Sequence, residues 1–196
     1  LSDLNLVALY TCPWPGQGFY FNKAVNSSKD TQGIKFRSYN SATATFAEEL
    51  GMVPVQVEAA ELSQALATGV AESFISSGST GYDRKVWEHL SHYYKVNAWL
   101  PRNYVMVNKG VWEGLNSDMK GAVQKAADET GAACSAKSAE LASWYFEQLE
   151  ANGMAVEDAS PEFLAELQAI GAKMTADWLA SAGADGQAIL DAYKSN

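Results

Sequence analysis

Residues 33–51 read GIKFRSYNSATATFAEELG, and this stretch decides the fold. Its first half alternates, with Ile34 and Phe36 on one side and Lys35, Arg37 and Tyr39 on the other. That period of two belongs to a strand with one buried face. After Asn40 the spacing turns helical, with Ala42, Ala44, Phe46 and Leu50 apolar, Ser41 the expected N-cap and Gly51 the expected stop. A strand feeding a helix places Arg37 at the strand's carboxyl end and close to a helix N-terminus, and both attract an anion. A solvated Lys/Arg face accounts for the same residues without any function.

Working outward, residues 53–57 read as a strand, 60–68 as a helix stopped by Gly69, and 72–76 as a further strand. The last empties into the small, polar run Ser76-Ser77-Gly78-Ser79-Thr80-Gly81. Strand and helix in alternation predict a parallel sheet with crossover helices. Ligands of such sheets sit beyond the carboxyl ends of the strands, where Arg37 and Ser76 both fall. Upstream, residues 4–10 read as a buried strand and 19–21 as a short one. Between them lies TCPWPGQG, whose two prolines and two glycines predict irregular structure. Trp14, between prolines, either lines a cleft or plugs a core edge.

Downstream, a helix is expected at 82–90, strands at 92–99 and 103–108, and a helical turn at 109–115. A long helical pattern, capped by Ser117, then runs to about residue 152. At about 1.5 Å per residue it is roughly 50 Å long. A globule of this size has a radius of gyration of only about 16 Å, so the helix suits a strut between two lobes. A short strand at 154–156, a helix starting at Pro161 and a final short helix at 187–193 complete the pattern.

Composition bounds the rest. The chain has 196 residues, 47% hydrophobic and 19% charged, enough for one large domain or two small lobes. A net charge of −9 excludes sequence-independent nucleic-acid binding, which needs a basic surface, so any anion must be held by a local device. No apolar run approaches the roughly 18–20 residues that cross a bilayer, so direct membrane insertion is not expected. No leader is legible and the chain starts at Leu1, which suits a processed product, a trimmed one, or the ordered part of something longer. Cys12 and Cys134 fit no zinc or redox spacing; a disulfide would suit an oxidising compartment, and buried free thiols suit the spacing equally.

A search for chemistry finds no phosphate loop, dinucleotide fingerprint, nucleophile elbow or zincin motif. His89 and His92 have ligand spacing but no third partner nearby; Glu48, Glu49, Glu58, Glu61 and Glu72 do not pair as acid and base. Ser76, Ser77 and Ser79 lack a histidine to activate them. No metal or cofactor is expected. What remains is a cation at one strand end, hydroxyls at another and a rigid aromatic loop, which together suit recognition of a small carboxylate.

Three segments in order then resemble one family. Gln32-Gly33-Ile34-Lys35-Phe36-Arg37, Leu66-Ala67-Thr68-Gly69-Val70-Ala71-Glu72 and Val107-Asn108-Lys109-Gly110-Val111-Trp112 are similar to its Lys-Gly-Leu-Lys-x-Arg, Leu-Gln-x-Gly-Val-x-Asp and Val-x-Lys-x-x-Trp patterns. With VPVQV at 53–57 and the Ala-rich long helix, the chain resembles the DctP-like solute-binding proteins of tripartite ATP-independent periplasmic (TRAP) transporters. The resemblance covers nearly all of it.

That resemblance implies an α/β fold of the periplasmic-binding-protein type (type II-like), with two lobes around a closing cleft and a long linking helix. The family extends further at the N-terminus, so most of the first lobe is expected to be missing. Residues 15–102 and 143–196 would form the second lobe, and 1–14 with 103–142 a remnant of the first lobe and the linking helix. Arg37 matches the family's carboxylate-binding arginine. Gln17 stands where sialate-binding members carry a second arginine, which argues against a sialate-like ligand. Ser76 replaces a family asparagine, and Ile75 stands where members that hold a 2-oxo acid through a cation carry an acidic residue, so a bound metal is not expected. Asn40 lies where the family makes a further polar contact, while Trp14 and Tyr82 would supply apolar walls. The implied function is capture of a small organic carboxylate, less polar than sialate and monocarboxylic or aromatic, in the bacterial periplasm for delivery to a membrane permease. Two readings from other classes remain: an α/β enzyme acting on a small carboxylate with its catalytic groups in the missing segment, and a sensor domain of the same fold.

Overall fold

The computed structural model describes residues 1–195. The chain gathers into two compact units: Leu1–Tyr20 with Ile75–Glu157, and Phe21–Phe74 with the chain from Asp158 onward.

The second unit contains the deciding stretch. Strand β3 (Lys35–Ser38) lies between β4 (Val53–Gln56) and the start of β5 (Ser73–Ser76), parallel to both, with Arg37 opposite Val55 on one side and Phe74 on the other. The expected solvated face is not there. Lys35 is exposed, but Phe36, Arg37 and Ser38 are all buried, because parallel strands are covered on both faces. Helix α1 (Ser41–Glu49) packs on β3 and β4 through Phe46 and Ala47. Its N-cap is Asn40 rather than Ser41. Asn40 is extended (φ −159°), as a cap must be, and its Oδ1 accepts from the Thr43 N–H at 2.8 Å. Gly51 stops the helix in the left-handed region, at φ 71°, where a side chain would be strained.

Helix α2 (Leu62–Ala67) follows a 3-10 turn and buries Leu62, Ala65 and Leu66. Helix α6 (Pro161–Lys194) is capped by Ser160 and buries Phe163 and Leu167, and it packs on α1. Its helical backbone breaks at Gly183 (φ 62°, ψ −143°), so the final short helix begins at residue 184, earlier than its sequence pattern shows.

In the first unit, β1 (Leu6–Pro13) pairs antiparallel with β7 (Arg102–Asn108), with a bulge between Ala8 and Tyr10. The strand runs on through Thr11, Cys12 and Pro13, where irregular structure was expected. Its Pro13 lies at the strand end of a two-stranded ribbon and so removes no donor from a central ladder. A second set of strands follows the order β5, β2 (Gln17–Phe21), β6 (His92–Trp99) and β8 (Ala155–Glu157), with β6 and β8 parallel. Helix α4 (Lys109–Gly114) leads into α5 (Ser117–Ala151), 35 residues capped by Asn116 rather than Ser117. Packing on β1, α3 (Gly78–Asp83) and β8, it lies wholly within this unit. Cys12 on β1 and Cys134 on α5 form a disulfide, with Cα atoms 5.7 Å apart.

The expected helix at 82–90 also starts elsewhere. Helix α3 forms from the small polar run itself and ends before Lys85, whose φ is 49°. Tertiary packing overrides the poor helix propensity of Gly and Ser here. A Cβ on Gly78 would stand 2.9 Å from Cβ of Tyr145, and one on Gly81 would collide with the hydroxyl of Tyr20. Tyr20 is fully buried, packs on Tyr93 and donates to the Ser77 carbonyl at 2.9 Å, so it has nowhere to retreat. Gly81→Ala should therefore destabilise by about 1–3 kcal/mol, a fall of several degrees in Tm by thermal unfolding. An unchanged Tm would mean that the helix and the tyrosine do not meet this closely.

Candidate functional site

Arg37 is 5% exposed, a rare degree of burial for a guanidinium. Its Nε donates to the Val57 carbonyl at 2.8 Å, and the guanidinium carbon stands 5.2 Å over the Tyr39 ring. Among the described residues it makes no salt bridge, and neither terminal nitrogen has a hydrogen-bond partner. Burial pulls its pKa below the ordinary arginine value, while Tyr39 and Glu58 act in the opposite direction; the group stays charged. Because the single hydrogen of Nε is taken by Val57, the side-on edge of the fork is closed. A carboxylate can be met in bidentate fashion only across the two terminal nitrogens.

Asn40, three residues on, has its Oδ1 committed to the cap, which leaves the amide Nδ2 as an exposed donor at the start of α1. These two candidates share the second unit. The other four belong to the first. Gln17 opens β2 and is buried. Ser76 closes β5, and its Oγ donates to Oγ1 of Thr80 at 2.8 Å. Tyr82 sits in an aromatic cluster with Trp87, Trp144 and Tyr145, the nearest ring centroid 5.0 Å away. Trp14 is 42% exposed, and its Nε1 donates to Oδ1 of Asn103 at 3.0 Å.

Trp14 lines a cavity of about 330 Å³ with Pro13, Pro15, Leu141, Tyr145 and the Cys12–Cys134 disulfide, so the tryptophan faces a cavity rather than plugging a core edge. The sequence reading missed Val57 and Tyr39 as parts of the arginine site. A backbone carbonyl leaves no trace in the sequence; Tyr39, in the same alternating run as Arg37, was a legible same-face neighbour.

A buried cation with a free fork thus stands at a strand's carboxyl end, followed at once by a capped helix. Residues 16–181 match the model of the bacterial extracellular solute-binding proteins, family 7 (DctP). The chain belongs to that family.

Solved structures agree with this. A TRAP solute-binding protein from a marine metagenome, described as specific for pyroglutamate, is 84% identical over 100% of this chain and 64% of its own, at a TM-score of 0.96. Bordetella pertussis DctP6, an extracytoplasmic solute receptor binding pyroglutamic acid, is 42% identical over 100% of this chain and 65% of its own, at a TM-score of 0.97. DctP7 of the same organism, likewise described, is 36% identical over 98% and 64%, at a TM-score of 0.95. The family-7 chain therefore spans about two thirds of the length of these relatives. The α/β fold of the periplasmic-binding-protein type expected from the sequence is the one observed.

Proposed function

We propose that this chain is part of the extracytoplasmic receptor of a TRAP transporter, acting in the periplasm, and that it captures pyroglutamate or a close cyclic monocarboxylate for a membrane permease. The observation that carries the reading is Arg37, buried, charged and with only its Nε spent. A guanidinium this buried, with both terminal nitrogens unspent, gains from an anion that offsets its desolvation. The carboxylate of pyroglutamate supplies that charge, and Asn40 Nδ2, at the start of the helix that follows, supplies a further donor. Three relatives described as pyroglutamate binders support the choice of ligand.

Isothermal titration of the full-length receptor tests this. Pyroglutamate should bind and be recovered unchanged, while 2-pyrrolidinone, the same lactam without the carboxylate, should not bind. Equal binding of both would overturn the reading. The role of Asn40 can be separated from its cap. Asn40→Asp keeps a cap acceptor but replaces the Nδ2 donor with a charge beside Arg37. Pyroglutamate affinity should fall at least about tenfold, roughly 1.4 kcal/mol, with Tm nearly unchanged. Unaltered affinity would remove Asn40 from the site.

A further inference from the structure

The guanidinium of Arg37 is constrained at two points, and only one of them is a hydrogen bond. The bond from Nε to the Val57 carbonyl, 2.8 Å long, fixes where the fork begins but leaves its plane free to pivot about that bond. The second constraint is the Tyr39 ring, 5.2 Å beneath the guanidinium carbon. Tyr39 stands two residues beyond Arg37, just past the end of β3, and its ring turns back to the guanidinium. A flat cation over a flat ring is attracted by the ring's quadrupole and gains most when the two planes lie together. No acidic side chain does this orienting. Glu58 lends Arg37 a favourable field without forming a salt bridge to it.

The geometry points to Tyr39 as a positioning residue for the carboxylate anchor: its ring holds the plane of the Arg37 fork so that both terminal nitrogens meet one carboxylate at once. This rests on the reading of Arg37 as that anchor. Two parallel hydrogen bonds require the guanidinium and carboxylate planes to coincide, so a fork free to pivot loses one bond for much of the time. It is the ring face that the guanidinium stands over. Phenylalanine should serve equally well, and leucine, with similar bulk but no quadrupole, should not.

The test is titration of the full-length receptor and of its Tyr39→Phe, Tyr39→Leu and Arg37→Met variants with pyroglutamate and with its primary amide. Tyr39→Phe should bind pyroglutamate within about twofold of the parent, and Tyr39→Leu about 5–20-fold more weakly. The weak binding of the amide should be the same in the parent and both Tyr39 variants, because an amide cannot use the fork in bidentate fashion. Simple loss of structure would weaken both ligands together and lower Tm. The inference is overturned if Tyr39→Leu binds pyroglutamate like the parent, if both ligands weaken equally, or if phenylalanine is as poor as leucine. Should Arg37→Met also bind like the parent, the anchor reading itself fails; should Arg37→Met alone lose binding, only the role of Tyr39 falls.

Discussion

Arg37→Met should weaken pyroglutamate binding by about 10²–10⁴-fold, because it removes two charge-assisted hydrogen bonds worth roughly 1.5–3 kcal/mol each. The effect on stability should be far smaller. Methionine fills a similar length, and the variant no longer bears the desolvation of a buried cation; against that, the Val57 carbonyl loses its donor. These terms oppose one another, so Tm should move by no more than a few degrees. A large loss of binding with little loss of stability is the signature of a group kept for its ligand. Arg37→Lys should recover little, since an ammonium keeps the charge but has neither the fork nor the flat face. Titration calorimetry paired with thermal unfolding measures both quantities. Affinity within threefold of the parent in Arg37→Met would end the proposal.

The second large effect concerns the disulfide. Cys12 and Cys134 are 122 residues apart in sequence, and their bond ties β1 to the long helix α5. A cross-link closing so long a loop removes about 3–5 kcal/mol of chain entropy from the unfolded ensemble. For a protein of this size that corresponds to a fall of roughly 10 °C in Tm. The double variant Cys12→Ser/Cys134→Ser should show that fall, and reduction of the parent with dithiothreitol should reproduce it. The bond also lines the cavity beneath Trp14, so its loss frees one wall of that cavity. Identical melting of the parent with and without reductant would show that the bond contributes nothing. A disulfide of this kind belongs to an oxidising compartment, in keeping with a periplasmic receptor.

Much of this was legible in residues 33–51. The alternation up to Arg37, the change to helical spacing after Asn40 and the stop at Gly51 are local signals, and local signals are what a strand–helix junction consists of. The order of elements therefore followed from the sequence almost throughout, as did Arg37 at a strand's carboxyl end. The sequence went astray where packing sets the outcome. Ser77 to Gly81 looked like a loop by composition, yet its small residues let α3 approach Tyr20 and Tyr145. Thr11 to Pro13 looked irregular, yet β7 lies alongside to pair with them.

By itself, then, the sequence determined the succession of strands and helices, the acidic surface and the family, because periodicity and ordered motifs are properties of neighbours along the chain. Tertiary structure alone decided that Arg37 is buried rather than solvated, that its Nε is spent on Val57 and its fork is not, and that Cys12 meets Cys134. Each of these depends on which strand lies beside which, and burial, hydrogen-bond partners and cross-links arise only when residues distant in sequence come into contact.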